Sequence, residues 1–439
     1  MAAETIVALS TPPGPSALAL LRMSGPQAHA IAREHVRNSI APGRSFYSPF
    51  RSSGEVIDDV VVTCWAAPAS YTGEDLIEIS CHGNMLIAEK ILQALQLSGA
   101  RPAGPGEFTQ RAFLNGKMDL TQAEAVMDLI QARSDRALRA ARALQEGRLG
   151  QKLSTQRENL LQILSHLEAY IDFPDEDISP EVGAEMLRQM EAVRTAFQQL
   201  LDSGREGRLL RSGLTVVLAG PPNAGKSSLL NALLERDRAI VSPVAGTTRD
   251  TIEEEIFLEG ICVRLVDSAG WWESPDEVEK LGLERTRRAL ERADLILQLV
   301  DGSEAGTAPT DLPLPPGVPV LVCRTKADLP EKNPREGLAL SALTGQGLPE
   351  LKLKIVQLMK LRETSTSLDA VAVNLRHETL LREAASGMER ALVRAREQAP
   401  PELTSADLRQ ALAAIGNLVG QVSNEDILDR LFKNFCIGK

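Results

Sequence analysis

At 439 residues the chain is too long for one hydrophobic core, so two or three domains are expected. Hydrophobic residues at 43% and charged residues at 24% describe a soluble globular protein, and a net charge of −11 argues against a broad nucleic-acid-coating surface, though not against a local basic groove. Cys64, Cys81, Cys262, Cys323 and Cys436 form no C-x-x-C pair and no His cluster lies near them, so neither a structural zinc site nor a disulfide framework is indicated. Met1-Ala2-Ala3-Glu4 lacks a basic leader and no apolar run is long enough to span a bilayer, so a cytoplasmic location and no membrane partner are expected.

The chain to Lys117 mixes strands with short helices. Ile6 to Leu9, Ala17 to Leu21, Val60 to Trp65 and Leu76 to Cys81 read as strands, and Met85 to Leu97 has helical periodicity, which makes residues 1–117 an α+β domain. The polar stretch from Gly104 to Lys117 reads first as turn chemistry. From Leu120 to about Arg208 the pattern turns helical, with Thr121 and Glu124 as a capping box for the first helix. Arg133, Arg136, Arg139 and Arg142 recur every three residues on one helix, a basic stripe that could follow a phosphate backbone or form an ion-paired face; the second reading is favoured because Asp128, Asp135 and Glu146 lie nearby.

Gly220-Pro221-Pro222-Asn223-Ala224-Gly225-Lys226-Ser227 fits G-x-x-x-x-G-K-[ST] at every specified position, between a buried strand at Thr215 to Ala219 and a helix at Ser227 to Leu234. Backbone N–H groups of such a loop, here with Asn223, Ala224, Gly225 and Ser228, wrap the phosphates, Lys226 neutralises the β/γ oxygens and Ser227 ligates Mg²⁺. Asp267-Ser268-Ala269-Gly270 ends the strand Val263 to Val266, placing a carboxylate beside Mg²⁺ and the Gly270 amide near the γ-phosphate. Thr325-Lys326-Ala327-Asp328 ends the strand Val320 to Cys323; Asp328 can accept both donors of guanine, which adenine does not offer, so GTP is read over ATP. Gly246-Thr247-Thr248-Arg249-Asp250 lies where Thr248 can close on Mg²⁺ and the γ-phosphate, and Ser341, Ala342 and Leu343, after the strand Gly337 to Leu340, complete the base pocket. Between Asp301 and Val318, Pro309, Pro313, Pro315 and Pro316 replace the expected helix with an irregular loop. Glu378 to Arg396, Ser405 to Val419 and Ser423 to Phe435 are helical again; neither helical stretch buries its apolar stripe alone, so the two are expected to pack together with the nucleotide domain inserted between them.

The loop with Asn223, the Gly246 to Asp250 and Asp267 to Gly270 motifs, the Gly104 to Leu120 stretch and the terminal Cys436-Ile437-Gly438-Lys439 together resemble the MnmE (TrmE) family of tRNA-modifying GTPases over nearly the whole chain. The resemblance implies an α/β multidomain fold. Residues 1–117 would be an N-terminal folate-binding and dimerisation domain, 118–207 and 366–439 the two parts of a discontinuous helical domain, and 208–365 an inserted Ras-like P-loop G domain with a mostly parallel sheet. It also implies a homodimer and a flavin-dependent MnmG (GidA)-like partner, with which the family modifies the C5 position of the wobble uridine of certain tRNAs using a 5-formyl- or 5,10-methylene-tetrahydrofolate.

By the same resemblance the folate contacts fall on Arg22, Glu78, Lys117 and Lys439, Mg²⁺ on Ser227 and Thr248, and potassium on Asn223, Ser242, Val244 and Thr247. Glu279 matches the residue that orients or activates the attacking water, and Cys436 matches the family's cysteine. Trp271 stands where Ras-like enzymes carry a water-positioning Gln, and its donor-only indole leaves the catalytic group to come from elsewhere. Thr325 stands where the guanine motif usually has Asn, so the supporting amide is lost while Asp328 remains. A ribosome-assembly GTPase and a non-catalytic GTP-binding scaffold are the rival readings; the N-terminal block and C-terminal tetrapeptide oppose the first, and Lys226, Ser227, Thr248, Asp267 and Glu279 oppose the second.

Overall fold

The computed structural model describes residues 4–37, 41–172, 184–237, 253–258, 260–267, 289–304, 315–333, 336–358, 373–420, 431–433 and 435–438. They form two compact units, one of Met1–Met127, Gln145–Val193 and Glu383–Lys439, the other of Asp128–Leu144 and Arg194–Arg382.

The first unit begins with β1 (Ile6–Leu9), β2 (Leu18–Ser24), α1 (Ala28–His35), β3 (Arg44–Ser52), β4 (Glu55–Trp65), β5 (Leu76–His82), α2 (Met85–Leu97), β6 (Arg101–Pro102) and α3 (Glu107–Leu114). The strands make one sheet in the order β3-β4-β5-β2-β1-β6, antiparallel except where β1 meets β6. Alternate residues Leu21, Met23, Ile77 and Ile79 enter a core with Ala28 and Ile31 of α1 and Ile91 and Leu95 of α2, so one sheet face is sealed by two amphipathic helices. On the other face a smaller cluster of Ile6, Ala8, Ala103 and Phe108 seats α3.

Next come α4 (Leu120–Gln131), α5 (Asp135–Gln145), α6 (Arg148–Asp172) and α7 (Ala184–Ser212). The cap of α4 sits two residues before the expected box. Asp119 Oδ1 accepts from the Gln122 amide at 2.9 Å and Gln122 Oε1 accepts from the Asp119 amide at 2.9 Å, leaving Thr121 inside the helix, where its hydroxyl donates to Asp119. Asp serves as N-cap at least as well as Thr, and its Gln partner three residues on closes the reciprocal pair.

The second unit holds β7 (Leu214–Ala219), α8 (Lys226–Asp237), β8 (Glu253–Leu258), β9 (Ile261–Asp267), β10 (Leu295–Asp301), β11 (Val320–Thr325), β12 (Leu338–Ala339) and α9 (Leu348–Leu358). Its sheet runs β12-β11-β10-β7-β9-β8, parallel throughout except that β8 returns antiparallel to β9. β7 and β10 are buried along nearly their whole length, as parallel strands covered on both faces must be: Leu218, Leu230, Leu297 and Ile355 fill one side, and Val217, Leu290 and Ile296 the other. The expected irregular loop at 310–317 falls mostly outside the described residues; Pro315 to Gly317 form a turn.

The chain ends in α10 (Leu375–Arg396) and α11 (Pro401–Val419), which starts with Pro at its first position and stops at Gly420 in the left-handed conformation, φ 82°. α11 packs on α6, where Arg409 meets Glu168 at 2.7 Å. Phe432 and Phe435 join Leu120, Ala123 and Met127 of α4 in one cluster, so helices from both sides of the nucleotide segment share apolar surface. Most of the helix expected at Ser423 to Phe435 lies outside the described residues.

Candidate nucleotide-binding site

The parallel strands β7, β9, β10 and β11 end at the same sheet edge, where open α/β sheets bind ligands. The phosphate loop follows β7. Its backbone needs two special positions: Asn223 has φ 61° and Gly225 φ 84°, and a Cβ on Gly220 would sit 2.6 Å from the Leu299 carbonyl oxygen. Ala224 is buried behind the loop, while Asn223, Ser227 and Ser228 are exposed.

Lys226 is 6% exposed, and its ammonium donates to the carbonyls of Gly220 at 3.0 Å and Pro221 at 2.9 Å. Burial pushes its pKa down, and the neighbouring Asp267 carboxylate opposes that shift. The Ser227 hydroxyl donates to Asp267 Oδ2 at 3.1 Å. Asp267 Oδ1 is buried without a hydrogen-bond partner, so a hard cation beside Ser227 would satisfy it. Among the described residues no cluster of three or more His, Cys, Asp or Glu could hold a metal, so the protein's share of such a site would be the Ser227 hydroxyl and the Asp267 carboxylate.

Across the sheet edge, Asp328 is held by Ser341, whose hydroxyl donates to its Oδ1 at 2.6 Å. Ser341 is buried and is itself fixed by its backbone amide, which donates to the Gln346 carbonyl, whereas Leu343 is 86% exposed. Thr325 is buried, and its hydroxyl donates to the Ala224 carbonyl at 2.7 Å, with the Val300 carbonyl an alternative at 3.2 Å. The guanine motif is thereby joined to the phosphate loop by a threonine where an asparagine is usual. Lys326 has φ 59° and its ammonium pairs with Asp301 Oδ2 at 2.5 Å, a partner not assigned from the sequence although Val300-Asp301-Gly302 ends an apolar strand just as Asp267 does. Ser242, Val244, Gly246, Thr247, Thr248, Gly270, Trp271 and Glu279 lie outside the described residues.

In the first unit, Arg22 and Glu78 stand opposite each other on β2 and β5. Arg22 donates through Nε and Nη2 to Glu78 Oε1 at 2.9 and 2.7 Å, and its guanidinium lies 5.4 Å from the Tyr71 ring centroid and 5.8 Å from that of Phe108. Lys117 is exposed and donates to the Pro68 carbonyl at 3.0 Å. The chain terminus docks on this unit: the Gly106 amide donates to the Cys436 carbonyl, Ile437 pairs with Pro105, and Ser10 donates to the Gly438 carbonyl at 3.0 Å. Gly438, φ 93°, comes so close to Leu9 that a Cβ would lie 2.6 Å from its carbonyl oxygen. Cys436 is exposed there, and Lys439 lies outside the described residues.

The Gly104 to Lys117 stretch does more than turn. Glu107 accepts from Arg101, from Arg111 at 3.0 Å and from the Gly104 amide at 2.8 Å, and Arg111 continues to Glu74 at 3.0 Å. The four arginines do not share one helix: Arg133 lies in the break before α5 and pairs with Glu255 of β8, while Arg136, on α5, packs on Gly260 between β8 and β9.

Fold and site together define a P-loop GTPase. Residues 5–117 match the N-terminus of the GTP-binding protein TrmE and residues 120–436 match the MnmE helical domain. The tRNA modification GTPase MnmE of Akkermansia muciniphila is 46% identical over 448 residues, covering 99% of each chain. Those of Opitutus terrae and Thermotoga maritima are 44% and 40% identical, covering 99% of this chain and 99% and 100% of theirs. The chain belongs to the MnmE family. No helix among the described residues is long and apolar enough to cross a membrane.

Proposed function

We propose that this chain is a potassium-activated GTPase of the cytoplasm that acts in tRNA modification: as a homodimer, with a flavin-dependent partner resembling MnmG, it uses a tetrahydrofolate one-carbon unit at C5 of the wobble uridine. The observation that carries the reading is the full-length likeness to tRNA modification GTPases together with a phosphate loop whose Lys226, Ser227 and Asp267 already face one another.

In this reading Lys226, whose ammonium lies at the Gly220 and Pro221 carbonyls, neutralises the β/γ oxygens. Ser227 and Thr248, with Asp267 beside them, would hold Mg²⁺, which would supply charge neutralisation at the phosphates. Asp328 accepts from guanine through the oxygen that Ser341 leaves free. Asn223, Ser242, Val244 and Thr247 are assigned to potassium, and Glu279 to the attacking water.

The folate group is assigned to Arg22, Glu78, Lys117 and Lys439. Because Arg22 is bonded to Glu78 Oε1, its first task is to fix that carboxylate and leave Oε2 for pterin N–H donors, beside the aromatic wall of Tyr71 and Phe108. Cys436 is assigned to the modification chemistry, and 1–117, 118–207, 208–365 and 366–439 remain the proposed domain bounds. Measuring GTP turnover and tetrahydrofolate binding on one preparation tests the reading. Both are expected; turnover without folate binding would instead favour a ribosome-assembly GTPase, and binding of GTP without turnover a scaffold.

A further inference from the structure

Neither the phosphate loop nor the guanine motif gives Asp301 a task, yet its side chain is only 6% exposed and both oxygens are engaged. Oδ1 accepts from the amide and hydroxyl of Ser303 at 2.9 and 2.7 Å, which fixes the carboxylate plane, and Oδ2 meets the Lys326 ammonium at 2.5 Å. The backbones on the two sides are laced together. The Gly302 amide donates to the Thr325 carbonyl at 3.0 Å, and the Gly302 carbonyl takes the amides of Lys332 and Asn333 at 2.9 and 3.2 Å. A Cβ on Gly302 would lie 2.9 Å from the Thr325 carbonyl oxygen, so the approach requires glycine. Lys326, directly after Thr325, is one of the few non-glycine residues with positive φ.

We propose that Asp301 is a positioning residue for guanine-nucleotide binding: it fixes the Lys326 side chain, and the left-handed turn that leads to Asp328, before the base arrives. A free lysine side chain must be immobilised when a ligand packs against its stem, and that ordering weakens binding; an ion pair formed beforehand removes the cost from the binding step. Ser341 restrains Asp328 from the other side, so the loop reaches the base with both of its recognition side chains oriented. The inference rests on the GTP reading and adds to it a residue outside the nucleotide motifs.

The test is GDP binding by isothermal titration calorimetry and steady-state GTP hydrolysis, on the full chain, for Asp301→Asn, Lys326→Met and the double variant. Asp301→Asn keeps an acceptor for Ser303 and removes the charge. Pre-ordering of one long side chain corresponds to about ten-fold in affinity, so GDP affinity should fall and the KM for GTP rise by about that factor with kcat within about two-fold. The double variant should lose no more than the weaker single one, since both substitutions break the same pair. Unaltered GDP affinity in Asp301→Asn, or losses that simply add in the double variant, would overturn the proposal. If Asp301→Asn fails to fold, Lys326→Met, which leaves Asp301 and Ser303 bonded, carries the same expectation, and unaltered GDP affinity there overturns it equally. An unsubstituted chain that binds no guanine nucleotide overturns the GTP reading and this inference together, whereas tight GDP binding by the unsubstituted chain and by both single variants sinks this inference alone.

Discussion

The hydroxyl of Thr325 donates to the carbonyl of Ala224 at 2.7 Å, tying the loop proposed to read the base to the loop proposed to hold the phosphates. A hydroxyl has one proton, so it serves Ala224 at the expense of the Val300 carbonyl 3.2 Å away, whereas an asparagine amide would have two protons to give.

Thr325→Val keeps the shape and removes that donor from a buried site. Leaving a buried carbonyl unsatisfied costs about 1–3 kcal/mol, so thermal denaturation should show a destabilisation of that order together with weaker GDP binding. Unchanged stability and affinity would show that the bond contributes nothing.

Asp328→Asn replaces an acceptor by a donor where guanine offers N–H groups, while xanthine offers a carbonyl oxygen. Hydrolysis of GTP should fall and that of XTP rise; competition between the two nucleotides measures it, and an undiminished preference for GTP would remove Asp328 from the base site.

The phosphate loop was legible in the sequence because its chemistry is local: glycines, Lys226 and Ser227 lie within eight positions, and the strand before and helix after them follow from apolar pattern alone. The ends of Met85–Leu97 were legible for the same reason. What escaped depends on residues far apart in the chain. Arg22 and Glu78 were read as separate ligands, but sheet register sets them opposite each other and makes them partners first. Arg133 could not be matched with Glu255 without the β8–β9 hairpin, and its nearest acidic neighbours in sequence suggested other pairs. The α3 network of Glu74, Arg101, Glu107 and Arg111 escaped because one-dimensional composition treats each as a solvated charge. Strand β3, with Pro49 inside it, was missed as well; it is the sheet edge, where a proline is tolerated.

That network makes a pH prediction. Burial alone would raise the Glu107 carboxyl, but Arg101, the Gly104 amide and Arg111 outweigh it and hold its pKa below the ordinary 4.5. A depressed carboxylate stabilises the fold fully above its unfolded value and loses that contribution as pH falls through the folded value. Denaturant unfolding of the N-terminal unit should therefore weaken from about pH 4.5 downwards. Glu107→Gln should cost about 2 kcal/mol at pH 7 and flatten that acid limb; an unchanged acid limb in the variant would assign the loss to other carboxylates.

Potassium supplies another test. By the resemblance neither Arg249, which follows Thr248, nor Trp272, which follows Trp271, stands as an arginine finger. Such a finger is worth ~10³ to 10⁵ in rate, and a monovalent cation near Asn223 can provide the charge instead. GTP hydrolysis should be faster in potassium than in sodium at equal ionic strength, and Asn223→Ala should largely erase the difference. Equal turnover in both salts with saturating GTP and Mg²⁺ would remove the cation from the mechanism.

Nucleoside mass spectrometry of wobble uridines tests the proposed function most directly, in cells lacking this chain and in the same cells supplied with either the unaltered chain or Lys226→Ala. Loss of the ammonium assigned to the phosphates should abolish GTP hydrolysis, so C5-modified uridine should be absent without the chain, restored by the unaltered chain and not restored by Lys226→Ala. Undiminished modification in cells that lack the chain would contradict a role in this reaction.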